Sequence, residues 1–214
     1  MYLHWYTMST STRTRAERKA PEERAAEIQA AARRIALQQG LAAVTLRAVA
    51  GAVGVTPALV AHYAPNMDAL VAETFGAIVR GELDEVREIV VQPTASRRLA
   101  RLLSTLLDGS RADVTAVWVE SWTLGRRNEA LGASVRAEMD AWQQAVQEII
   151  ASGVEAGEFH TDDPTAVAWQ LLGMIDGLNA HALVRWGAAA ERGPLIAHAV
   201  EGMLGLPRGA LAER

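Results

Sequence analysis

The chain predicts an all-α protein, an N-terminal three-helix helix-turn-helix unit followed by a larger helical domain, about nine helices in all. Apolar residues recur at i, i+3, i+4 and i+7 along most of its length. No apolar/polar alternation bounded by turn residues, the mark of strands, persists anywhere. Residues 45–71, TLRAVAGAVGVTPALVAHYAPNMDALV, hold two short helical stripes joined by a tight turn and then a third, longer one.

The first helix is expected over Pro21–Gln39, with Ala25, Ile28, Ala32, Ile35 and Ala36 on one face. Glu22 and Glu23 fall in its first turn, where the helix dipole favours them. Thr45 can cap the second helix through its hydroxyl, and Leu46, Val49, Ala50 and Val53 form that helix's stripe. Gly54 ends it, because the turn requires a residue that tolerates positive φ, and Val55 plugs the corner. Thr56 caps the third helix and Pro57 takes its first position, where a missing N–H costs nothing. Ala64-Pro65 stops that helix, since a residue before proline is pushed out of the helical region. The pattern is that of a helix-turn-helix, whose second helix lies in the major groove of DNA.

Asn66 caps a fourth helix running toward Val91, and Thr94 a fifth that ends near Asp108-Gly109. The sixth covers Ala112 to Thr123, with Val114, Val117, Trp118 and Trp122. The seventh runs from Asn128 to about Ala156, with Leu131, Val135, Met139, Trp142, Val146, Ile149 and Ile150 at helical spacing. Asp162-Asp163-Pro164 opens the eighth, which is expected to reach Trp186 and is apolar on most sides, as in a helix buried on more than one face. The ninth is expected over Pro194–Leu204, before a Gly/Pro-containing tail.

Half of the 214 residues are apolar or aromatic, enough for a substantial core. No run of roughly 18 uninterrupted apolar residues is present, so no membrane span is expected. The start, MYLHWYT, has neither the basic nor the long apolar region of a secretory signal, and residues 1–7 read as an upstream extension. With no cysteine, disulfides and thiolate metal sites are excluded, in keeping with a cytoplasmic protein. The five histidines show no HExxH spacing, and neither a phosphate loop nor a GxSxG elbow occurs, so no enzyme, metal or cofactor is expected. Net charge is −4, but residues 1–80 carry nine Lys/Arg against six Asp/Glu, whereas the remainder carries twelve against nineteen. The positive half therefore coincides with the helix-turn-helix.

With Gly40-Leu41, Thr45-Leu46-Arg47, Val49-Ala50, Gly54-Val55-Thr56, His62-Tyr63, Asp68 and Leu70-Val71, the chain resembles the TetR family of bacterial repressors over residues 20–75. Within that family it is similar to the branch of the choline-responsive regulator of betaine synthesis. A looser match continues through Trp118 to Trp122, Val154–Phe159 and Ile175–Leu178. The resemblance implies a double-stranded palindromic operator, a small-molecule effector and a homodimer built on the last two long helices. It implies an arm at 1–20, a DNA-binding domain at 21–66, an effector-binding and dimerisation domain at 67–206 and a tail at 207–214.

Carried over by position, Thr45 faces a phosphate and Arg47 a guanine edge, whose paired acceptors match its fork. Thr56, Pro57, Ala58, Ala61, His62 and Tyr63 face the groove, with His62 and Tyr63 on phosphates. Arg13, Arg15, Arg18 and Lys19 form either a solvated tail or an arm touching phosphates. Two departures stand out: the family has an aromatic residue where this chain has Ala64, and a phosphate-gripping lysine where it has Met67. They keep open an alternative, a helical dimer with weakened DNA binding that acts through protein partners.

Trp118, Trp122, Trp142, Trp169 and Trp186 gather in the C-terminal part. Helical spacing makes them core or interface residues; near acidic groups such as Glu120 and Asp176, indoles also hold cations. The candidate effector site is thus Trp118, Trp122, Trp142, Trp169, Asp176 and Asn179, with His181 as a further polar group.

Overall fold

The computed structural model describes residues 20–212, and within them all regular structure is helical. The elements are α1 (Pro21–Gln39), a 3-10 turn (Leu41–Ala43), α2 (Leu46–Val53), α3 (Pro57–Tyr63), α4 (Met67–Ile89), α5 (Ala95–Leu107), α6 (Ala112–Leu124), α7 (Glu129–Glu155), α8 (Pro164–Leu183) and α9 (Ala189–Met203). The expected arm, with Arg13, Arg15, Arg18 and Lys19, lies outside the described residues.

The helix starts follow the capping chemistry. Thr45, Thr56, Asn66, Thr94, Asn128 and Asp163 each accept a hydrogen bond from a first-turn N–H. Each such cap satisfies a donor that the helix itself cannot. Gly54 is left-handed, with φ 74° and ψ 34°, and the Val55 N–H returns to the Ala50 carbonyl at 3.0 Å. That closure sets the angle between α2 and α3.

The α1–α3 head buries Ile28, Ala32, Ile35, Leu41, Val49 and Val60. Its core continues into the body through α4, which packs on α1 at one end and along α7 at the other. Phe75 of α4 is fully buried and meets Trp118 edge-on, with centroids 5.1 Å apart. The body is a layered bundle in which α6, α8 and α9 close around α4, α5 and α7.

Two expected boundaries move. The eighth helix stops at Leu183, because Arg185 turns left-handed at φ 60° and Gly187 follows at φ 78°. Trp186 therefore leaves the helix; it is 66% exposed and rests edge-on against His181. The ninth helix begins at Ala189, leaving Pro194 inside it. Proline there removes one backbone hydrogen bond. Yet the first turn holds, because buried Arg192 donates through Nη1 to Asn179 Oδ1 at 3.3 Å, tying it to α8. Beyond α9 the chain stays anchored: the Glu201 carboxylate accepts from the Gly209 and Leu211 N–H groups, each at 3.0 Å, and Leu211 is buried.

The Val154–Phe159 segment ends α7 and caps α5. Gly157 turns at φ 72°, Phe159 folds back against Gly153, and Glu158 accepts from the N–H groups of Ala95 and Ser96 at 3.0 and 2.9 Å and from Ser96 Oγ at 2.8 Å. Burial works against the Glu158 charge, but these bonds outweigh it and hold its pKa below the ordinary value of 4.5. Its stabilising effect is thus complete above that value and fades as pH falls through the lowered one. Glu158→Ala is expected to lose roughly 1–3 kcal/mol in urea unfolding at pH 7. The gap to the parent should narrow in acid, and an equal gap at all pH values would count against the cap.

Candidate functional site

The head presents a short rod. Val60 points into the core, whereas Thr56, Pro57, Ala58 and His62 are exposed and Ala61 and Tyr63 half-buried. Thr45 and Arg47 are exposed at the start of α2, and no acidic partner among the described residues engages Arg47. The Thr45 and Thr56 oxygens cap their helices and keep their hydroxyl protons free to donate. His62 and Tyr63 meet edge-on at 5.2 Å, and Tyr63 also packs against the core. Ala64 and Met67 lie half-buried against that core as well. A methionine thus seals the α3–α4 corner at a position where a lysine would have to reach outward. Residues 20–80 carry five arginines and five acids, so the positive surplus comes from Arg13, Arg15, Arg18 and Lys19.

In the body, α4 to α8 enclose a cavity of about 220 Å³. Trp118, Trp122, Trp142, Trp169, Asp176 and Asn179 all line it. Trp142 is buried, whereas Trp169 is 73% exposed, at the mouth. Asn179 is occupied structurally: its Nδ2 donates to the Leu106 carbonyl at 2.9 Å, and its Oδ1 accepts from Arg192. Neither Trp186 nor His181 lines the cavity. Glu120 does not either, because its carboxylate turns away to the head.

The structure adds Glu82 and Arg111 to the lining. Burial pushes Glu82 up to about 7, against the opposing pull of Arg111 and of the Trp118 indole, whose Nε1 donates to Oε2 at 3.4 Å. Arg111 is itself engaged by Glu85 at 3.1 Å. Burial likewise raises Asp176 to about 6, and no donor or cation among the described residues reaches it. A clue to Glu82 lay in the register: Phe75, Val79, Glu82 and Val86 share one helical face, so a carboxylate interrupts a buried stripe. Arg111 precedes its helix and carries no such periodic mark.

Such a cavity suits a compact organic cation, held by indole faces and a desolvated carboxylate. Among the described residues no group of three or more His/Cys/Asp/Glu is set to hold a metal ion, and no helix is long and apolar enough to cross a membrane.

Residues 28–74 match the model of bacterial regulatory proteins of the tetR family, and residues 95–205 match that of the BetI-type transcriptional repressor C-terminal region. No curated protein sequence matches the chain significantly. A TetR transcription regulator from Haloarcula marismortui superposes with a TM-score of 0.75 at 22% identity, covering 86% of this chain and 99% of that one. A Saccharomonospora viridis protein assigned as a transcriptional regulator, crystallised with choline, also reaches 0.75, at 24% identity over 86% of this chain and 98% of its own.

The two raised carboxylates make a pH prediction. The unfolded chain releases these protons at the ordinary values of 4.5 and 3.8, whereas the fold retains them to about 7 and about 6. The folded state binds more protons across that window, so their contribution to stability falls as pH rises through it. Glu82→Gln combined with Asp176→Asn should raise the Tm at pH 8 and flatten its decline between pH 5 and 8. A parent and variant with parallel pH profiles would show that these groups are not desolvated.

Proposed function

Because the chain belongs to the TetR family of bacterial transcription regulators and carries a BetI-type C-terminal region, we propose that it is a homodimeric repressor of a palindromic operator, released by a compact organic cation. The convergence of four tryptophans and two desolvated carboxylates on one cavity carries this reading. The choline complex of the similar Saccharomonospora viridis protein supports it.

On this reading residues 21–66 read DNA in the cytoplasm, and residues 67–206 sense the effector and dimerise. Exposed Leu183, Val184, Trp186 and Leu195, together with Gly177, where an added Cβ would meet nothing within 4 Å, supply apolar surface and room for a second copy beside α8 and α9. The dimer must hold its α3 helices about 34–36 Å apart to enter successive major grooves. Thr45, Arg47, Thr56, Pro57, Ala58, Ala61, His62 and Tyr63 make the contacts, with Arg47 on a guanine. The cation sits against Trp118, Trp122, Trp142 and Trp169 with Asp176 as counter-charge. It releases DNA only to the extent that it prefers the non-binding state.

Operator titrations over a salt series test the DNA half. Arg47→Ala should cost about 1–3 kcal/mol and relax preference at one symmetric base position. Met67→Lys should tighten binding and steepen the salt slope by about one per restored phosphate contact. Weak binding of the parent that is indifferent to sequence would instead favour the helical dimer acting through protein partners.

Choline titrated against tryptophan fluorescence tests the sensor half. Binding should weaken about tenfold per pH unit once Asp176 protonates below about 6. Asp176→Asn should abolish it, and a silent titration of the parent would retire the cation.

A further inference from the structure

We propose that Glu120 couples the cavity to the DNA-reading head, resting this on the effector reading above. Helix α6 bears two functions on opposite faces. Trp118 and Trp122 line the cavity, and Glu120, two residues from each, points the other way, as the helical period requires. Its Oε2 accepts from the Ala42 N–H at 3.3 Å, across 78 residues of sequence. Ala42 belongs to the 3-10 turn that joins α1 to α2, just before the Thr45 cap and Arg47.

The fit is close. Gly40 stands at φ 91°, and a Cβ added there would meet the Glu120 carboxylate. The left-handed backbone there favours glycine, and any side chain at this position would have to displace the Glu120 carboxylate. Helix α6 also packs on α1, so it touches the head on two elements while walling the cavity with indoles. A ligand that shifts Trp118 or Trp122 shifts α6 as a rod. The Glu120 contact then carries that displacement to the turn that orients α2 and α3. Such a role is a coupling free energy between two sites, measurable as a change in one affinity caused by occupancy of the other.

Three readouts on the full-length protein test this: operator affinity with and without choline, choline affinity by tryptophan fluorescence, and hydrogen exchange of the Ala42 amide. In Glu120→Ala, choline affinity should stay within about twofold of the parent, while choline's weakening of operator binding shrinks at least fivefold. Glu120→Gln, which keeps an acceptor oxygen, should retain most of the response. Unchanged release by choline in Glu120→Ala overturns the proposal, as does loss of choline binding there. A ligand-free arm guards against an incorrect effector. Trp122→Ala disturbs the cavity wall directly and should speed exchange at Ala42 and weaken operator binding in the parent, but add little in Glu120→Ala. If the parent ignores choline yet these two substitutions are non-additive, the cation reading fails and the coupling stands. If they are additive, the coupling fails.

Discussion

Helix α4 is buried along nearly its whole length and belongs to head and body at once. Leu70, Phe75, Val79, Leu83 and Val86 along it are all buried, in one core that runs from the head into the body. A unit as small as α1–α3 cannot bury enough apolar surface by itself to fold securely. It closes instead against α4, with α6 braced on α1 and the turn after it. The helix-turn-helix head is therefore held by helices that also wall the cavity. In a close-packed interior a displacement of one wall is felt by its neighbours. Family membership makes this chain a DNA-binding regulator, and its head and body share the helices α4 and α6.

Buried charge is treated differently in the cavity than elsewhere in the molecule. Glu138, 5% exposed, is paired with Arg80 at 2.5 Å. Glu201, 3% exposed, is satisfied by two backbone N–H groups. Half-buried Glu158 likewise is held by Ala95 and Ser96. Among the described residues Asp176 has no such partner, and Glu82 has a long bond from Trp118 and a guanidinium already drawn to Glu85. Leaving carboxylates desolvated costs stability, and the pKa shifts express that cost. Among the described residues, the buried Glu138 and Glu201 are thus paired, whereas Glu82 and Asp176 face a tryptophan-lined space.

Much of this was legible in the chain. Helical periodicity, threonine and asparagine caps, Gly54 and the Ala64-Pro65 stop specified the elements, because capping and turn chemistry act over a few residues. The gathering of Trp118, Trp122, Trp142, Trp169 and Asp176 was read from composition, and the fold brings them to one cavity. Other features depended on residues distant in sequence. Pro194 signalled a helix start, but the Arg192–Asn179 bond extends α9 a turn ahead of it. Glu120 looked like a partner for the indoles, but the helical period turns it away from them, and the fold brings the 3-10 turn to meet it. Glu82 joined the site because α4, α6 and α8 converge there. Local backbone energetics therefore determined which helices form and where most of them begin. Which face of α4 and α6 meets which neighbour, and so which acids are paired and which are left desolvated, was decided by packing, because desolvation and charge pairing depend on groups brought near only by the completed fold.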